Sequence, residues 1–251
     1  MTDERMPLPA VWVCFLSNPT HQQALRTVLQ TRYPGTEVIF VAQGTAERRE
    51  SPHHYQLNRE DGVAYRQTLQ RIAADWGPGF ALLYLWPLED PAVISDYMPL
   101  FHLFQAVREA KPARFLWAGE WTTPLERSYL ESWIGWERSL GLILPQMGVA
   151  GVLQKAAPEM DMAKWLNRLA DELASPAIES VLYEGEQRHV CRMEPTDTTE
   201  GEGRGLIKEG GPISSPAVVG IGPPVGRQSH PLAIRQSGVN GTVAFIRRLS
   251  G

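Results

Sequence analysis

Apolar runs and helical patterns alternate along the first 195 residues. VWVCFLS at 11–17 is a continuous apolar run suited to a buried strand, and Asn18-Pro19-Thr20 behind it predicts a helix over 20–32 that Pro34-Gly35 ends. EVIFVA at 37–42 repeats the strand signal, and HYQLN at 54–58 gives a weaker one. Val63, Leu69 and Ile72 stand at near-helical spacing within 60–75, before a stop at Trp76-Gly77-Pro78-Gly79. FALLYLW at 80–86 predicts the next strand, and 92–110 the next helix, with Pro99 kinking it or setting its true start. FLWAG at 115–119 predicts a strand, 127–144 a helix stopped by Pro145, GVAGVLQ at 148–154 a strand, and 161–174 an amphipathic helix. Residues 177–195 predict two strands around Glu184-Gly185-Glu186, a hairpin.

Strand and helix in alternation predict an α/β domain over 10–195, a mostly parallel sheet with helices on both faces. The runs 11–17, 37–42, 80–86, 115–119 and 148–154 are expected to lie in one sheet. The composition then changes. Residues 196–229 are dense in Gly, Pro, Ser and Thr and predict a mobile linker, because such a stretch buries little apolar area against the entropy of ordering it. Residues 230–251 follow as a further segment with short strand signals.

Composition removes several function classes. With 43% apolar and 21% charged residues the bulk is globular, and a net charge of -4 supplies no basic field for nucleic acid. No apolar run approaches the roughly 18 residues of a membrane span, and residues 1–10 lack a signal peptide's basic start and apolar stretch. A soluble, cytoplasmic protein is expected. Cys14 and Cys191 both fall in strand-like runs and are expected to be buried, inert thiols of a reducing compartment.

A doubly wound sheet invites a nucleotide, yet the first strand-to-helix turn, Ser17-Asn18-Pro19-Thr20-His21, has no glycine to let a pyrophosphate approach the backbone. No cofactor-binding residue is assigned. Short-chain reductase chemistry needs a lysine four residues after a tyrosine. The seven tyrosines, Tyr33, Tyr55, Tyr65, Tyr84, Tyr97, Tyr129 and Tyr183, are followed at that spacing by Glu37, Arg59, Leu69, Leu88, Phe101, Trp133 and Gln187. No catalytic residue is assigned either. Gly220 to Gly226 is interrupted by Pro223 and Pro224 and reads as a linker turn. The pair His53-His54 has no third ligand at metal spacing, so no metal is expected. Asp90, Asp96, Glu184 and Glu186 read as ordinary solvated caps and turn residues. Among the eight tryptophans, Trp133 and Trp136 share a helix with Leu140, and these three are the candidate domain-docking residues if that face is not core.

The order of these elements resembles the structural subdomain of a modular polyketide synthase ketoreductase over about 10–195. FALLYLWPLED at 80–90 is similar to that family's strand-and-turn signature, and LFHLFQAVREA at 100–110 to the helix after it. FLWAGEW at 115–121, ESWIGWERSLGLILPQ at 131–146 and VLYEGEQRHVCRMEP at 181–195 are similar to its next strand, its RSLGL segment in a variant form and its terminal hairpin. The resemblance implies a truncated Rossmann-like fold, like that of short-chain dehydrogenases, without catalysis or cofactor of its own. It would buttress a separate catalytic half that binds NADPH and lies outside this chain. HPLAIRQSGVNGTVAFIRRLSG at 230–251 is similar to the opening strands of an enoyl reductase, which implies a second partner of the same synthase. Two other readings stay open: a self-sufficient oxidoreductase with diverged motifs, and a free-standing scaffold or docking protein.

Overall fold

The computed structural model describes residues 8–158, 160–195 and 241–247, the side chains of 192–195 and 241–247 excepted. The chain divides into two units, residues 1–191 with 245–251, and residues 192–244. In the second, the described residues are strand ends of β9 (Gln187–Pro195) and β10 (Gly241–Arg247). The linker expected over 196–229 lies outside the described residues, as does most of 230–251.

In the first unit, β1 (Val11–Phe15), β2 (Glu37–Gln43), β5 (Ala81–Tyr84), β6 (Arg114–Trp121) and β7 (Gly148–Lys155) are parallel neighbours, as the apolar runs predict. The strand order is β9-β8-β7-β6-β5-β1-β2-β4-β3, with β4 (His54–Leu57) and β8 (Val181–Glu184) parallel to their inner neighbours. From β1 the chain winds to β2 and β4, then returns to place β5 on the other side of β1. That reversal is the switch point at which such sheets open a crevice beyond the strands' carboxyl ends.

Alternate residues of the central strands feed two cores. Val13, Phe15, Leu82, Tyr84, Phe115 and Trp117 point to the face covered by α2 (Gly62–Trp76), α4 (Met98–Ala110) and α5 (Pro124–Ile143). Trp12, Cys14, Ala81, Leu83, Leu116 and Ala118 point to the face covered by α1 (Pro19–Arg32) and α6 (Met162–Ala174). Burial on both faces is why these strands read as unbroken apolar runs.

Several boundaries differ from the sequence reading. The helix expected over 92–110 is two, α3 (Ala92–Ser95) and α4, broken at Asp96-Tyr97, and Pro99 sits in α4's first turn, where a missing N–H costs nothing. Strand β3 (Arg48–Ser51) is an antiparallel edge strand of polar side chains, so it carries no apolar signal. Val63, expected on α2's buried face, lies in that helix's first turn and is exposed. Cys191 is half-buried beside Arg138, unlike the fully buried Cys14. The hairpin places Gly185 at φ +60, the first of two turn positions, where such a loop reserves glycine.

Candidate functional site

Two places in this fold bear on function: the switch-point crevice and the outward face of α5. At the crevice, β1 leads into Leu16-Ser17, and α1 opens behind Asn18, whose side chain caps Thr20 N–H (2.8 Å). Pro19 at the first helical position supplies no N–H, and the turn before it offers the N–H groups of Ser17 and Asn18. Both are taken by Glu89, which follows the short 3-10 turn Trp86–Leu88 after β5. Ser17 N–H donates to one carboxylate oxygen (2.6 Å) and Asn18 N–H to the other (2.8 Å), which also lies 3.0 Å from His21 Nδ1. The Glu89 side chain is only 9% exposed. The next residue, Asp90, receives Arg59 Nη1 at 3.0 Å from the loop after β4. Ser17 Oγ accepts from Gln43 N–H at the end of β2 (3.0 Å). The connections after β1, β2, β4 and β5 are thus tied together over the strands' carboxyl ends. Sequence reasoning finds the missing glycine but passes over Glu89, because no local pattern marks a carboxylate that closes a turn 72 residues away.

A cleft of about 540 Å³ opens beyond the ends of β6 and β7, lined among others by Trp121, Thr122, Arg127, Lys155 and Glu184. None of its described lining residues is a tyrosine, histidine or cysteine. Among the described residues no cluster of His, Cys, Asp or Glu can hold a metal. His53 lies 3.1 Å from Glu37 and His54 lies 3.4 Å from Arg26. Asp90 and Asp96 accept from Ala92 N–H and Met98 N–H as caps do.

The structure separates the three docking candidates. Trp133 and Leu140 are interior, at 2% and 6% exposure, with Trp133 against Trp117 and Tyr84. Trp136 is half-buried and packs edge-on or tilted against Tyr97, Phe101 and Phe104. A docking face shared by all three is therefore not available: a helix has one core stripe, and Trp133 and Leu140 belong to it. What α5 presents outward is a different stripe. Leu125, Tyr129, Ser132, Trp136, Ser139 and Ile143 follow at steps of 4, 3, 4, 3 and 4, the spacing of one helical face. Of the seven exposed large apolar or aromatic side chains among the described residues, four are on α5 (Leu125, Tyr129, Leu142 and Ile143), and two, Tyr97, which packs on Trp136, and Met98, stand at the start of α4.

No charge interrupts that stripe. Glu126 closes a capping box with Thr123, and its carboxyl is held down to about 2 by the Thr122 hydroxyl and the N–H groups of Thr122 and Thr123. Arg127 pairs with Glu131 (2.7 Å), Glu137 is buried against Ser180, and Arg138 donates to Cys191 Sγ. By contrast, α2 turns Arg66, Gln67, Gln70 and Arg71 to solvent. An exposed helix face of five turns with only apolar, hydroxyl and glycine side chains is unusual for a surface that water alone covers.

No protein-family model matches the chain. Polyketide synthase PksM of Bacillus subtilis (strain 168) is 37% identical over 201 residues, 79% of this chain, which spans only 5% of that protein's length. Among solved structures, a ketoreductase from a macrolactin assembly line aligns over 74% of this chain and 42% of its own, with TM-score 0.54 and 13% identity. A nonribosomal peptide synthetase module containing adenylation, ketoreductase and pseudo Asub parts aligns over 73% of this chain and 16% of its own, with TM-score 0.56 and 14% identity. A short-chain dehydrogenase/reductase of Serratia marcescens aligns over 71% of this chain and 98% of its own, with TM-score 0.50 and 13% identity. The chain is a homologue of a segment of a polyketide synthase and carries the Rossmann-like fold of assembly-line ketoreductases.

Proposed function

We propose that this chain is the structural, non-catalytic subdomain of a polyketide synthase reductive region, and that it works by holding a catalytic ketoreductase half in position. The observation that carries this reading is the uncharged outward stripe of α5. It offers Leu125 and Tyr129 at one end and Ile143 at the other, with the half-buried Trp136 flanked by the small side chains of Ser132 and Ser139 between them, an uncharged surface against which another domain can pack. The absence of any tyrosine-lysine pair at one-turn spacing supports a holding role over a reacting one. In this reading NADPH belongs to the partner half. Residues 10–195 are the subdomain, 196–229 tether it, and 230–251 lead into an enoyl reductase. Two free thiols, one of them fully buried, fit a reducing cytoplasm. Among the described residues no helix is long and apolar enough to cross a membrane.

The test is calorimetric titration of the chain with the catalytic ketoreductase half of the same assembly line, comparing wild type with the double variant Tyr129→Asp/Ile143→Asp. Both positions are exposed, so the variant is expected to melt like wild type, while two charges forced into a desolvated contact weaken binding about 30-fold or more. Equal affinities would remove α5 from the interface.

A further inference from the structure

We infer that Glu89 is a tethered anion: its carboxylate occupies the β1–α1 turn from within the chain and closes the switch-point crevice by occupation. The turn offers the ingredients of an anion site, two N–H groups that no backbone carbonyl uses, the positive end of a 14-residue helix and an imidazole at His21. Each of those ingredients meets an oxygen of Glu89. The group is delivered by a short tether, the 3-10 turn directly after β5, and Asp90 beside it is anchored by Arg59. Ser17 is half-buried and Asn18 exposed, so water is able to reach these donors; the nearly buried carboxylate of Glu89 takes them instead and adds its charge at the helix's positive end. The inference does not rest on the synthase assignment, because it uses only contacts within this chain.

Two consequences separate a tethered anion from an ordinary surface carboxylate. The charge itself is needed, and the place it leaves is selective for anions. The experiment is thermal unfolding of the full chain, wild type, Glu89→Ala and Glu89→Gln, each with inorganic pyrophosphate and with chloride at matched ionic strength. Wild type is expected to show no saturable rise with pyrophosphate. Glu89→Ala is expected to melt about 5 °C or more below wild type, since charge-assisted hydrogen bonds to two backbone N–H groups are lost. Pyrophosphate should then recover half or more of that loss in a saturable manner, and His21→Ala in the Glu89→Ala background should blunt the recovery. Glu89→Gln keeps the side chain's shape without its charge and is expected to melt below wild type as well. This arm reads the inference even if Glu89→Ala does not fold. Saturable stabilisation of wild type by pyrophosphate, a Gln variant as stable as wild type, or an Ala variant that no anion restores would each overturn it.

Discussion

Buried charge is the most telling feature at the scale of single residues. Arg114, 2% exposed, donates to the carbonyls of Leu173 and Ser175 and so closes the carboxyl end of α6. Glu172 is buried too, but Arg188 meets it with two nitrogens (2.7 and 2.8 Å), tying the hairpin to α6. Glu137 has no such cation. It accepts from the Ser180 hydroxyl while the neighbouring guanidinium of Arg138 turns to Cys191, and burial pushes its carboxyl up to about 7 despite those polar neighbours. The folded chain therefore keeps this proton to near neutrality, whereas the unfolded chain releases it near the ordinary carboxyl value of 4.5. Stability is full below pH 4.5, falls as pH rises through about 7, and is flat in this contribution above that. The loss amounts to at most about 3 kcal/mol. Urea unfolding at pH 5 and pH 8 should show the decline in wild type and a smaller one in Glu137→Gln; equal declines would show that Glu137 is not its source.

Gly151 is a second residue with a sharp requirement. It lies opposite Trp117 across β6 and β7, and a Cβ there would collide with the buried indole. Gly151→Ala is expected to cost roughly 1–3 kcal/mol, the range of overpacked cores, read as a lower urea midpoint with unchanged slope. Nothing in the sequence around Gly151 announces this, because the tryptophan that fills its space is 34 positions away and joined only by strand register.

At the scale of elements, the helices and inner strands were legible because burial on one or two faces writes itself into periodicity. What stayed hidden depends on partners. The polar edge strand β3 owes its conformation to β4, and α5 begins earlier than its apolar spacing suggests because the Thr123–Glu126 capping box nucleates it. Thr123→Ala should cost about 1 kcal/mol of stability. Helix α5 also carries two apolar stripes, and spacing alone does not tell which one faces the sheet. Trp136 sits at their boundary, so Trp136→Ala is expected to lower the melting temperature through its lost contacts with Tyr97, Phe101 and Phe104. Tyr129→Asp, on the outer stripe, should leave the melting temperature within about a degree of wild type. The reverse pattern would mean that the outer stripe is the one that packs.

At the scale of the molecule, a doubly wound sheet keeps its switch point while its first turn departs from the glycine-rich pattern that binds a dinucleotide. The glycine-free turn and the tyrosines without a lysine are visible in the sequence. The carboxylate seated on that turn is not, since it is brought there by the β5 connection crossing to β1. These three features are independent of one another, so restoring one would leave the others in place. On the proposed function, the chain supports reduction without binding the cofactor itself. Fluorescence titration of the chain alone with NADPH tests this most directly. No saturable signal is expected up to millimolar cofactor; saturable binding in the low micromolar range would mean that the chain is itself a cofactor-binding domain.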